Sequence, residues 1–161
     1  MSDQHNYLTT LDVLHDLIQV NGLRVCGYQP IIENRSDAVS SPWYVLLDEI
    51  ICQSRRWQDE LEVQVVELTG DLPANRGGGG ELIRLWDTHK HAAADAVEPL
   101  EARLFSEGES ALLQVYEQAA ESVHSPMVCK QLIASQLDEL MAFYDQCHPL
   151  HGVPMAAGAV H

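Results

Sequence analysis

A chain of 161 residues, 46% hydrophobic and 20% charged, is long enough to bury the core of one soluble domain. Its formal net charge of −15 argues against nonspecific nucleic-acid binding, which needs a basic surface to displace counterions, and against docking on anionic lipid. No apolar run approaches the roughly 20 residues of a membrane span, and the polar opening MSDQHNYLTTLD lacks the basic start and apolar centre of a secretory signal, so a cytoplasmic protein is expected.

The first predicted helix runs from about Tyr7 to Glu33. Leu8, Leu11, Leu14, Ile18, Asn21, Val25, Tyr28 and Ile32 alternate at helical spacings and build one apolar stripe. Thr9 or Thr10, ahead of Asp12, is the expected N-cap. Pro30 removes one backbone bond and clashes one turn back, so a kink there or an end near Gln29 is expected. The polar link NRSDAVSS leads to Pro42, which suits a first helical turn with Ser41 as cap. The second helix then runs to about Thr69, with Leu47, Ile50, Ser54, Trp57, Leu61, Val65 and Leu68 on its inner face. Gly70 stops it by accepting a left-handed backbone, and Pro73 follows.

From Asp71 to Gly80 the chain reads as the loose part of a crossover. The run Gly77 to Gly80 precedes Glu81-Leu82, where a phosphate-binding loop requires Lys followed by Ser or Thr, so the glycines read as a flexible linker. A shorter helix from Glu81 to about Ala96 ends near Pro99. Two more follow, Leu100 to about Val123 and Pro126 to about Cys147, with Ser125 capping the last. The domain is expected to span residues 1–148, with residues 149–161 a disordered tail.

In its motifs the chain resembles a small group of bacterial ferritin-like proteins of uncharacterised function. That group carries L-N-D-L-I-E, then L-G-G-D-P, H-R-x-W and R-G-E-D in this order. Here stand Leu14-His15-Asp16-Leu17-Ile18-Gln19, then Leu68-Thr69-Gly70-Asp71-Leu72-Pro73. Ile83-Arg84-Leu85-Trp86 and Glu107-Gly108-Glu109-Ser110 follow, and Tyr116 and Asp145 also fit. The resemblance covers roughly Leu8 to Cys147. It implies a ferritin-like four-helix bundle, with a long crossover carrying an extra short helix, in which inward Glu and His residues bind metal.

The departures from that pattern fall on the ligand positions. Gln19 and Val25 replace first-helix acids, Ile83 replaces the crossover histidine, Ser106 replaces an acid and Tyr144 a histidine. Glu60, Glu109 and Glu139 are retained. Valine and isoleucine cannot ligate a metal, so the chain reads as a degenerate member.

Other constellations are thin. Di-iron bundles need Glu-x-x-His pairs projecting from one helix face. Glu121-Ser-Val-His124 is the literal match, with aspartate versions at Asp12 to His15 and Asp145 to His148, but all lie at helix ends. Asp87, His89, His91 and Asp95 read as a hydrated face of the crossover helix. The four cysteines (Cys26, Cys52, Cys129, Cys147) show no CxxC spacing and read as small buried hydrophobes. A continuous last helix puts Cys129 and Cys147 roughly 27 Å apart, too far for one tetrahedral site. Trp57 and Trp86 read as packing residues, and no nucleophile has a base at a recognisable spacing.

The sequence therefore predicts an all-α protein, with a non-enzymatic binding or assembly role, no catalytic or cofactor-binding residues and no metal. A homo-oligomer or a protein partner is left open. The alternative is a metal-binding or oxidoreductase-like bundle that holds iron or manganese with Glu49, Glu109 and Glu139.

Overall fold

The computed structural model describes residues 2–33, 42–70, 80–92 and 100–147, and every element among them is an α-helix. They are α1 (Ser2–Glu33), α2 (Pro42–Thr69), α3 (Glu81–Ala92), α4 (Leu100–Ser122) and α5 (Met127–Cys147). The link 34–41, the crossover segment 71–79 and the expected disordered tail lie outside the described residues. Among the described residues no helix is long and apolar enough to cross a membrane.

Cross-helix bonds fix the directions of the helices. Asn21 and Ser54 join α1 to α2, while Gln58 reaches back to the Ile18 carbonyl, so these two run antiparallel. Arg24 meets Glu109 and Asn21 meets Tyr116, which sets α4 antiparallel to α1. Gln53 meets Glu139 and Gln64 meets Cys129, so α5 opposes α2. It follows that α2 and α4 run the same way. The connection between them must return along the molecule, and α3 lies on that return, packed on α4 and α1.

One core fills the space between the helices. Leu14, Leu17, Trp57, Leu61, Leu112, Tyr116, Ile133 and Leu140 are fully buried in it, and Leu82 and Trp86 of α3 close one side. A second cluster gathers Tyr28, Leu46, Leu47, Ile50 and Ile51 around one end of the α1–α2 pair. Trp57 and Trp86 are packing residues, as their spacing suggests. The expected inner face of α2 is buried from Leu47 to Val65, with Leu68 partly covered.

Helix ends differ from expectation in instructive ways. α1 begins at Ser2, so Thr10 is no cap; its hydroxyl instead donates to the Ser125 carbonyl at 2.6 Å, tying α1 to the α4–α5 turn. The helix does not end near Gln29 but carries Pro30 through to Glu33. Proline removes the single backbone bond that would end on the Cys26 carbonyl, and the helix carries on past it. α3 ends at Ala92. α5 starts at Met127, because the Pro126 carbonyl already accepts from Cys129 and Lys130 and so stands at the cap. At the end of α2 the expectation holds: Gly70 has φ of 81° and its amide reaches the Val66 carbonyl at 2.7 Å.

The cysteines also divide. Cys129 is buried, whereas Cys26 and Cys52 are exposed, against the reading of all four as core residues. The continuous helix from Met127 to Cys147 keeps Cys129 and Cys147 far apart.

Candidate functional site

Asn21, Arg24 and Tyr28 lie at helical spacing on α1, and all three are buried. On a helix face otherwise made of leucine and valine, they must find partners across the core or pay the cost of dehydration. The partners come from α2 and α4, and Tyr116 of α4 carries the chain of bonds on to α5.

Arg24 is the hub. Its Nε donates to Glu109 Oε2 at 3.0 Å and its Nη2 to Glu109 Oε1, a two-pronged pairing across the α1–α4 interface. The other terminal nitrogen, Nη1, donates to Gln53 Oε1 and Ser54 Oγ, each at 2.9 Å. The Tyr28 hydroxyl donates to Glu109 Oε2 at 3.2 Å. The guanidinium carbon also lies 5.6 Å from the centre of the Trp57 ring, within cation–π reach. Burial acts to lower the Arg24 pKa, but the attraction and hydrogen bonds of Glu109 outweigh it, so the net direction is upward and the group stays cationic.

From Ser54 the chain of bonds continues. Ser54 Oγ donates to Asn21 Oδ1 at 2.8 Å, and Asn21 Nδ2 donates to both the Leu17 carbonyl at 2.9 Å and Tyr116 Oη at 3.0 Å. Tyr116 in turn donates to Gln136 Oε1 at 2.7 Å, and Gln136 donates to Glu60 at 3.0 Å. A polar layer thus crosses the whole core through α1, α2, α4 and α5. Burial pushes the Tyr116 phenol well above its ordinary range, which keeps it a neutral donor. Tyr144 is raised too, by its burial and then by the charges of Glu109 and Asp145.

The three weak metal candidates land in different settings. Glu109 is 1% exposed and committed to Arg24. Glu139 is half-buried at the rim, paired with Arg56 and accepting from Gln53 at 3.3 Å. Glu49 is exposed. Among the described residues no three His, Cys, Asp or Glu side chains gather within reach of one ion. The inner position on α2 near Arg24 belongs to Gln53 and Ser54, one turn beyond Glu49.

Elsewhere, Glu60 bonds Gln136, Glu121 and His124 are exposed, and Ile83 is half-buried against the core. Gln19 is exposed and Val25 half-buried. His148 and Asp95 lie outside the described residues, as do the side chains of His89, His91 and Ser106.

Sequence reasoning missed Arg24, Gln53 and Gln136. The available signal was Asn21 inside the first apolar stripe and Ser54 inside the second: two polar residues at core positions require each other, and Arg24 stands three residues on from Asn21. Chemically the layer offers hydrogen bonds and a neutralised charge pair. Its buried acid, Glu109, is bound to a guanidinium and its phenol is held protonated, while Glu60 at the far end of the layer accepts from Gln136. Comparison with protein-family models, with curated proteins and with solved structures finds no match to this chain.

Proposed function

We propose that the chain is a non-enzymatic binding or assembly protein of the cytoplasm, built on a ferritin-like four-helix bundle that has exchanged metal chemistry for a buried charge pair. The helix directions support the architecture. With α2 and α4 parallel and a long connection between them, the order agrees with that of ferritin-like bundles. One observation carries the functional reading: Glu109, the buried inward-facing acid, is neutralised by Arg24 on the facing helix. A cation bound there must displace a guanidinium held by Glu109, Gln53 and Ser54 together.

The metal alternative fits these residues poorly. Iron or manganese held by Glu49, Glu109 and Glu139 needs an exposed acid, a buried arginine-bound acid and a rim acid to converge. Elemental analysis of tag-free protein purified without chelator tests the choice. Sub-stoichiometric metal is expected. Near-stoichiometric iron or manganese, lost in Glu109→Ala, sinks the proposal. The assembly role is tested by light scattering and affinity capture, with a homo-oligomer or a retained protein partner as the expected result. A strict monomer at high concentration that retains no partner counts against it.

A further inference from the structure

Asp16 is a second buried charge, and the polar layer does not use it. It sits on the side of α1 that α3 covers and is 3% exposed. The Leu82 amide donates to its Oδ2 at 3.4 Å, long for an N–H···O bond. The Gly80 amide also favours the charge, while Oδ1 has no hydrogen-bond partner among the described residues. Gly80 adopts φ of 77° and its carbonyl accepts from Arg84 at 2.8 Å, so the amide end of α3 is directed at α1.

A carboxylate at a helix N-terminus is ordinarily a favourable cap. Here dehydration wins. Burial pushes the Asp16 pKa above its ordinary value of 3.8, against the opposing effect of the Leu82 and Gly80 amides. The charged groups that act on it from its own helix are Asp12, which adds repulsion, and His15, whose cationic form relieves it. From α3 it meets the Leu82 amide, and from the residue before that helix the Gly80 amide.

We propose that α3 is a proton-linked clasp, which closes over Asp16 more firmly as pH falls and loosens as pH rises. The sign follows from linkage. With α3 lifted away, Asp16 faces water; with α3 docked, the carboxyl holds its proton more tightly. Docking therefore takes up a proton. The contribution is full below the undocked pKa and is lost as pH rises through the docked one. Each unit by which docking raises that pKa weakens docking about tenfold at higher pH. Loosening uncovers Leu82 and Trp86, and it takes away the α3 wall, Ile83, Arg84, Trp86 and Asp87, of the groove of about 430 Å³ whose other wall is Leu23, Cys26 and Gly27 of α1.

Amide hydrogen exchange of the intact chain, read by mass spectrometry on peptides spanning residues 80–92, tests this. Rates are corrected with an unstructured reference at each pH. Protection of α3 is expected to fall about threefold as pH rises from below 3.8, the ordinary value of the carboxyl, to neutrality, while α2 and α5 hold theirs. Asp16→Asn and Asp16→Ser both keep a capping oxygen without the charge, so either should leave α3 protected and flat with pH. His15→Gln should keep the wild-type response. A flat wild-type profile, a fall on acidification, an unchanged response in the Asn and Ser variants, or loss of the response in His15→Gln overturns the clasp.

Discussion

Gly108 of α4 leaves the space that the Tyr28 hydroxyl fills: a Cβ built at Gly108 lies 3.1 Å from that oxygen. The hydroxyl is thereby free to donate to Glu109, the neighbouring residue in sequence, from a ring buried against Leu46, Leu47 and Ile50. A glycine inside a helix costs roughly 1 kcal/mol relative to alanine. At this position the missing side chain is what admits the third donor to the charge pair.

Gly108→Ala is accordingly expected to destabilise by about 1 kcal/mol, because a ring packed this closely cannot retreat and the crowding exceeds the gain in helix propensity. In the background of Tyr28→Phe, which removes the crowded oxygen, the same substitution should become neutral or stabilising. Urea unfolding of the four proteins checks this. A stabilising Gly108→Ala in the wild-type background refutes the steric account.

Arg24→Met leaves Glu109 buried without its cation and is expected to cost about 3–5 kcal/mol. Pairing it with Glu109→Leu removes both charges, and the double variant should recover most of that loss. Denaturant unfolding gives the coupling energy directly. Losses that simply add show that the pair does not act as a unit.

Alkaline stability is set in part by Tyr116. Its phenol is held above the ordinary value of 10 by burial, so between that value and the folded pKa the unfolded chain releases a proton that the folded chain keeps. Stability is full below the unfolded pKa and falls as pH rises beyond it. Tyr116→Phe should lower stability near neutrality, through the lost bonds to Asn21 and Gln136, yet flatten the decline above about pH 10. Thermal melts across that range read both effects, and an unchanged alkaline slope in the variant contradicts the assignment.

The elements were largely legible because local chemistry decides them. Pro42 and Gly70 bound α2 with residues that suit the start and stop of a helix, and the inner face of α2 follows from spacing alone. Thr10 misled because its hydroxyl is used by the Ser125 carbonyl, a partner no local pattern announces. Arg24 was harder still. An arginine on a helix is ordinarily a solvated residue, and it is buried here only because Glu109, 85 positions away, meets it. Asp16 was invisible for a related reason, since its burial depends on where the crossover returns.

The Arg24–Glu109 pair also couples the two halves of the chain. Arg24 belongs to the α1–α2 hairpin and Glu109 lies beyond the crossover. If the hairpin closed alone over its leucines, it would trap an unanswered guanidinium; the second half alone would trap an unanswered carboxylate. Each half taken alone leaves one charge of the pair without its counter-charge, so the pair is complete only when both halves meet.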